Sequence, residues 1–441
     1  MLKINIPEEP NWIITKLIES GFDAYVVGGC VRDSILGNIP KDWDICTNAL
    51  PQDVKNVFKE IRIVDTGLKH GTVTIILNNI GFEVTTYRID GEYSDCRRPN
   101  DVYFTNNLID DLSRRDFTIN SMAYNNNVGL IDCFGGELDL QNRLLRCVGK
   151  ASDRFNEDAL RILRALRFSS VLRLTIEEET AKAICYNFKL LSKISVERIS
   201  SEMNKLLCGL NCSIILKEYQ DVISFIIPEI KPMIGFSQNN PYHVYDVWEH
   251  TLVALNSSPQ DLEVRLAVLF HDISKPATYS CVDGVGHFYK HHLYSEEITR
   301  NILKRMKYDN KTIDNVCLLV YNHDVEITNT PKSVKRSLNK VGDLFEKLLD
   351  VKYADMYGQS KKAVDEKKDI LDGIKLIYQE VLNQSMCFNL KDMNINGKDL
   401  LLNGFKEGKQ IGSMLNKLLE LVIDGIVENN KDDLLMAAKL L

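Results

Sequence analysis

Gly28-Gly29-Cys30-Val31-Arg32-Asp33 is followed within a few residues by Lys41-Asp42-Trp43-Asp44-Ile45-Cys46. A glycine pair lets a backbone approach a triphosphate closely, because no Cβ stands in the way. Two aspartates one residue apart on a strand point to the same face. Such a pair of hard oxygen ligands suits Mg²⁺, which takes one or two carboxylates and completes its shell with water and substrate phosphates. Glu83, in Phe82-Glu83-Val84-Thr85-Thr86-Tyr87-Arg88, is a third candidate carboxylate if its strand neighbours the one carrying Asp42 and Asp44. Two metals held by three carboxylates stabilise both oxygens of an in-line phosphoryl displacement.

Further charged groups follow in order. In Asp111-Leu112-Ser113-Arg114-Arg115-Asp116-Phe117-Thr118-Ile119-Asn120 the two arginines can neutralise a triphosphate through paired hydrogen bonds. Asp116 and Asn120 stand at helical i,i+4 spacing and offer partners for a ribose. In Asp153-Arg154-Phe155-Asn156-Glu157-Asp158-Ala159-Leu160-Arg161-Ile162-Leu163-Arg164, Asp158 and Arg161 are three apart, hence neighbours on a helix. Acceptors and donors side by side can pair with a base edge, although a surface ion pair is the commoner use of this spacing.

Seven of the eight histidines fall between His243 and His323, so a second chemical centre is expected there. Trp248-Glu249-His250, Phe270-His271-Asp272, Lys290-His291 and Asn322-His323-Asp324 place imidazoles and carboxylates on successive helical segments. That is a suitable cage for a divalent metal.

Composition sets the outer limits. The 441 residues allow two to four domains. Hydrophobic (44%) and charged (26%) fractions are those of a soluble globular chain. No apolar signal core opens the sequence, and no apolar run spans a bilayer. Eleven scattered cysteines without a CxxC pair read as reduced thiols, and we expect a cytoplasmic protein. The net charge of −7 does not advertise a nucleic-acid binder, but eight Lys/Arg face three Asp/Glu from Arg143 to Arg173.

Strand-like and helix-like patterns alternate over the first ~145 residues. AYVVGG reads as a strand entering a turn, and VTIILN and FEVTTYRI as strands meeting near Asn78-Asn79-Ile80-Gly81. Residues 91–107 are polar and read as a mobile loop. After Gly149 helical periodicity dominates, notably over 153–169, 196–208, 248–257, 292–306 and 364–382. FSQNNPYH (236–243) has the composition of a domain junction.

From Tyr25 to about Leu207, closing with Val196-Glu197-Arg198-Ile199-Ser200-Ser201-Glu202, these motifs occur in the order that resembles the tRNA nucleotidyltransferase/poly(A) polymerase family in its bacterial-type class. The resemblance implies an α+β fold. A mixed-sheet nucleotidyltransferase head (1–145) leads into a helical neck (146–210), linker helices (211–240), an HD domain (241–345) and a helical tail (346–441). It implies that Gly28, Gly29 and Arg32 hold the triphosphate and that Asp42 and Asp44 bind Mg²⁺ with Glu83 as third carboxylate. Arg114, Arg115, Asp116 and Asn120 would contact the nucleotide. Asp158 and Arg161 would read the base of CTP or ATP, with Arg164 beside them. Ser121 departs from the alanine usual in the family after the Asn. The loop Asp90–Pro99, which in the family helps switch from CTP to ATP, is full length, and Thr66–Val73 resembles that of CCA-adding members. Complete CCA addition to tRNA is therefore the expected activity. The alternatives are A-only addition, poly(A) synthesis, or a phosphohydrolase with a degenerate RNA-binding head.

The second half resembles the HD phosphohydrolase superfamily. That implies a metal on His250, His271, Asp272 and Asp324, a phosphate site at His291 and His323, and a phosphodiesterase or phosphatase side activity. Lysine pairs such as Lys361-Lys362 and Lys367-Lys368 are candidates for gripping the tRNA backbone, though solvated helix faces carry such charge more often. The sequence leaves the oligomeric state open.

Overall fold

The computed structural model describes residues 3–91, 101–384 and 386–441. The chain divides into two compact units, one of Met1–Ile215 with Tyr219–Ile226, the other of Leu216–Glu218 with Ile227–Leu441.

The first unit is built on β1 (Ala24–Val27), β2 (Ile45–Thr47), β3 (Ile63–Gly67), β4 (Thr72–Leu77) and β5 (Ile80–Thr86). A ribbon of β6 (Arg88–Asp90) and β7 (Val102–Phe104) follows, then β8 (Met122–Asn125) and β9 (Gly129–Asp132). Seven strands form one sheet in the order β3-β4-β5-β2-β1-β8-β9. Only β2 and β5 pair in parallel, so the sheet is mixed, as the sequence implies. β1 and β2 are buried along their whole length, which fits the apolar run of β1 and of Ile45-Cys46, and the Thr47 hydroxyl is satisfied by the Asp23 carbonyl. Each fully buried Val or Ile there contributes about 1.5–3 kcal/mol. Asn78 and Asn79 both take positive φ (50° and 63°), and this pair of left-handed residues closes the β4–β5 hairpin where the sequence places a turn. The flanks of the polar 91–107 segment pair as β6 and β7, while residues 92–100 lie outside the described residues.

Two local readings change. Asp42 and Asp44 lie in the extended lead-in to β2 rather than within a strand. The helical stretch 153–169 is two helices, Ala151–Glu157 and Leu160–Leu172. Asp158 breaks it, with extended backbone (φ −137°, ψ 102°) and a carboxylate that accepts from Leu160 N at 3.0 Å. An aspartate that caps the helix after it cannot also continue the helix before it.

The second unit is predominantly helical. Helices Val247–Ser257, Leu262–Phe270, His291–Arg305, Asn310–Asn322 and Phe345–Tyr357 surround its histidines. A small hairpin, Ser280–Val282 with Val285–His287, interrupts the expected all-helical architecture.

Candidate functional site

In the first unit, β1 stops at Val27, Gly28 follows with φ +80° and ψ −123°, a combination that side-chain-bearing residues avoid, and helix Gly29–Ile35 begins immediately. A Cβ on Gly28 would stand 3.0 Å from Arg115 Nη1. The glycine therefore admits a guanidinium against the backbone at the mouth of a cavity of about 560 Å³. Every candidate residue of the first unit lines this cavity except Glu83: Gly28, Gly29, Arg32, Asp42, Asp44, Arg114, Arg115, Asp116, Asn120, Asp158, Arg161 and Arg164.

Glu83 is exposed on β5 and faces Asp44 electrostatically. Asp44 keeps solvent access at its tip, yet the dense protein around it raises its pKa, burial first and then repulsion from Glu83, against the pull of Arg115. Carboxylates crowded together, only partly compensated by Arg115 and still open to solvent, fit a hard divalent cation.

On the opposite wall Asp116 is 7% exposed and fully engaged. One oxygen accepts from Phe117 N (2.9 Å) and Asn120 Nδ2 (3.0 Å), and the other from Arg164 Nε (2.7 Å). Burial alone would raise its pKa, but the charge of Arg164, the Asn120 hydrogen bond and Arg161 overcome that and hold it at about 2. Asn120 in turn accepts from Arg32 Nη1 at 2.6 Å. These residues do not share an α-helix, since a short 3₁₀ turn, Thr118–Asn120, carries the contact. Asp116 thus positions Asn120 and Arg164 and has no free edge for a ribose. Ser121 donates to the Leu112 carbonyl, which satisfies the hydroxyl that replaces the family's alanine.

Asp158 and Arg161 share the wall but not a helix face. Asp158 accepts from Arg198 Nη2 (3.0 Å), whereas Arg161 donates to Glu157 Oε2 (2.6 Å) and to the Arg114 carbonyl (2.9 Å). Arg198, Arg167 and Phe168 are cavity residues to which the sequence reading assigned no role. Phe168 sits under three guanidiniums, Arg167 at 4.0 Å, Arg32 at 5.0 Å and Arg164 at 5.3 Å.

All seven lining arginines pair with an internal carboxylate. Arg32 meets Asp33, Arg114 and Arg115 share Asp111, Arg161 meets Glu157, Arg164 meets Asp116, Arg167 meets Glu202 and Arg198 meets Asp158. Those six acids together with Asp42 and Asp44 bring the cavity close to charge balance. It offers oriented donors rather than a positive field.

In the second unit His250, His271, Asp272, His291 and His323 converge, all buried. Asp324 does not join them. It lies at the rim, 3.8 Å from His291 Nδ1 and 3.7 Å from His292 Nδ1, with its side chain 54% exposed. The fourth partner of His250, His271 and Asp272 is Asp355, on helix Phe345–Tyr357, whose Oδ1 is 3.0 Å from His250 Nε2. A lone aspartate in a long helical stretch has no local signature, so sequence spacing did not single it out.

Three family models match the chain: Poly A polymerase head domain over 24–146, Probable RNA and SrmB-binding site of polymerase A over 173–233, and tRNA nucleotidyltransferase domain 2 over 288–438. The CCA-adding enzyme of Lactobacillus delbrueckii subsp. bulgaricus is 35% identical over 422 residues, 95% of this chain and 94% of its own. That of Ligilactobacillus salivarius is 33% identical over 450 residues, 100% of this chain and 99% of its own. Among solved structures, the Bacillus stearothermophilus CCA-adding enzyme in complex with CTP superposes with a TM-score of 0.72 at 28% identity, covering 98% of this chain and 96% of that one. The Thermotoga maritima CCA-adding enzyme complexed with tRNA shares the fold, with a TM-score of 0.63 at 20% identity over 99% and 96% of the two chains.

Proposed function

The chain belongs to the tRNA nucleotidyltransferase family, and from that premise and the geometry of the head we propose that it adds CCA to tRNA 3′ ends from CTP and ATP, releasing pyrophosphate. The observation that carries this reading is the single cavity in which two open aspartates face a glycine-lined backbone and seven anchored arginines. The relatives reported above support it along nearly their full length.

In this reading the tRNA 3′-hydroxyl attacks the α-phosphate of the bound nucleotide. Gly28 and Gly29 allow the triphosphate to lie against the backbone, and Arg32, Arg114 and Arg115 hold its oxygens. Asp42 and Asp44 would hold Mg²⁺, with Glu83 beside them; the cation supplies charge neutralisation and lowers the cost of deprotonating the hydroxyl. Asp158 and Arg161 face the base, fixed in place by Arg198 and Glu157 respectively. Asp116, Asn120 and Arg164 keep this wall rigid. We propose a nucleotidyltransferase head over 1–145, a helical neck over 146–210, linker helices over 211–240, an HD domain over 241–345 and a helical tail over 346–441. We place the protein in the cytoplasm, a reading supported by the scattered cysteines without a CxxC pair and by the absence, among the described residues, of a helix long and apolar enough to cross a membrane.

A product-length assay tests the activity. With Mg²⁺ and a labelled tRNA ending just before CCA, two additions with CTP alone, and a third only with ATP, are expected. A long ladder from ATP alone makes the protein a poly(A) polymerase, and growth only of tRNA already ending in CC makes it an A-adding enzyme.

The second unit supports one more assignment. His250, His271, Asp272 and Asp355 offer two imidazole nitrogens and two carboxylates within 4.8 Å of one another, a donor set suited to a divalent transition metal. We assign a divalent cation there, with Asp355 in the place that the resemblance implied for Asp324, and a hydrolytic phosphodiesterase or phosphatase side activity to the adjoining cavity.

A further inference from the structure

Phe168 lines the nucleotide cavity of the first unit and is nearly buried there. The guanidinium carbons of Arg167, Arg32 and Arg164 lie 4.0, 5.0 and 5.3 Å from its ring centroid. These cations come from two elements. Arg32 belongs to helix Gly29–Ile35, directly after the glycine turn, whereas Arg164 and Arg167 belong to helix Leu160–Leu172, which also carries Arg161. One aromatic side chain therefore touches a triphosphate-side arginine and two arginines of the base-side helix.

The ion pairs do not account for this gathering. Arg32 is held by Asp33 (2.8 Å), Arg164 by Asp116 (2.7 Å) and Arg167 by Glu202 (2.8 Å), three separate acids. Like charges at this spacing repel. Arg167 lies below the usual guanidinium range: burial comes first, Glu202 opposes it, and Arg164 and Arg32 add to it. An aromatic ring carries negative charge on its faces, so one ring can attract several cations that repel one another. The attraction strengthens as water is excluded. Phe117, fully buried, stands edge-to-face with Phe168 at 5.7 Å and 82°, and this contact helps to hold the ring plane. An aliphatic side chain would fill most of the same space but has no charged face to offer.

We propose that Phe168 is a positioning residue for nucleotide binding: the negative face of its ring, and not its bulk, gathers Arg32 with Arg164 and Arg167 and so joins the triphosphate side of the cavity to the base side. The proposal rests on the nucleotide-addition reading of the head and adds to it a residue that the ion pairs leave out. Arg32 faces the triphosphate, which CTP and ATP share, so both nucleotides depend on the ring. The arrangement exists before a nucleotide arrives, so the ring acts on binding and leaves the chemical step alone.

The test replaces Phe168 in the full chain by phenylalanines carrying one, two and three ring fluorines, introduced at an amber codon. Fluorine withdraws electron density from the ring face at nearly constant size, so a purely structural role would not respond. Calorimetry with Mg²⁺ gives Kd for CTP and for ATP, and initial rates on tRNA ending before CCA and on tRNA ending in CC give KM and kcat. Kd and KM for both nucleotides should rise with each fluorine, to about tenfold at three, while kcat stays within about twofold and the melting temperature holds. Phe168→Leu should weaken binding at least as much as three fluorines. Flat Kd and KM across the series overturn the proposal even where Phe168→Leu binds poorly, because bulk alone then matters. A rise for one nucleotide only, or a fall in kcat at constant KM, overturns it as well. A wild-type chain that binds both nucleotides in a fluorine-sensitive way but extends no tRNA overturns the addition reading and leaves the role of the ring standing. Binding of neither nucleotide overturns both.

Discussion

Asp116→Asn isolates the charge that organises the nucleotide wall. Asparagine keeps the size and one acceptor oxygen but removes the ion pair with Arg164. Asp116 is depressed from 3.8 to about 2 in the folded chain. At ~1.4 kcal/mol per pKa unit, that depression corresponds to about 2 kcal/mol of stability at pH 7. Loss of one partner of a fully buried pair costs roughly 3–5 kcal/mol, and Arg164, with its side chain 34% exposed, recovers part of that from water. The sign fixes the pH window. A carboxyl whose folded pKa lies below its unfolded one stabilises fully above about pH 4–5, and the contribution fades as pH falls through about 2. The gap between wild type and Asp116→Asn should thus be about 2 kcal/mol at pH 7 and about 1 kcal/mol at pH 3. Urea unfolding at both pH values, followed by tryptophan fluorescence, measures it, since Trp12 and Trp43 lie in this unit and only Trp248 in the other. A gap below about 0.5 kcal/mol at pH 7, or one that does not shrink by pH 3, refutes the ion pair as the organiser of the wall.

Three other outcomes follow from the same cavity. Gly28→Ala forces a side chain onto φ +80° and into Arg115, so we expect a loss of about 1–3 kcal/mol and a higher KM for both nucleotides; an unchanged KM would remove Gly28 from the triphosphate site. Asp44→Ala should end CTP and ATP addition while leaving the melting temperature equal or higher, because it removes a carboxylate that Glu83 already repels; residual addition in the tRNA assay would refute its ligand role. Raising KCl from about 50 to about 200 mM should change KM for CTP less than about threefold, since the guanidinium pairs are shorter than the ~10 Å screening length and the cavity is near charge balance; a steep rise in initial-rate titrations would mean that a long-range positive field does the binding.

What the sequence made legible was local. Gly28-Gly29 needs no context to be recognised as a close-approach turn, and the spacing of Asp42 and Asp44 survives even though the segment is an extended lead-in and not a strand. Asn78-Asn79 announces its hairpin by residue type. Reading Asp158 and Arg161 as one helix face failed because periodicity over 153–169 does not register a side chain that caps the next helix. Arg198 stood in a quoted segment without a role, since its partner is Asp158, 40 residues away in sequence. Asp355 was out of reach for the same reason. Its place beside His250 is made by the packing of two helices, and the nearest sequence signal, Gly358, matters only because its carbonyl holds His250 Nδ1 and any Cβ there would come within 2.6 Å of that nitrogen.

Both centres solve one physical problem in the same way. A flexible cation or an imidazole is a poor binding group until its orientation is fixed, and ordering it on binding costs affinity. In the head each guanidinium commits one edge to an internal acid, and this fixes the direction of its other N–H groups before a nucleotide arrives. In the second unit each imidazole commits Nδ1 to a backbone carbonyl, and this fixes the direction of Nε2. The internal partner is therefore as much a part of the site as the group that faces outward. It also explains why lysine is no substitute for the head arginines. An ammonium keeps the charge but has no second edge with which to be held by Asp111 or Asp116 while it faces a phosphate.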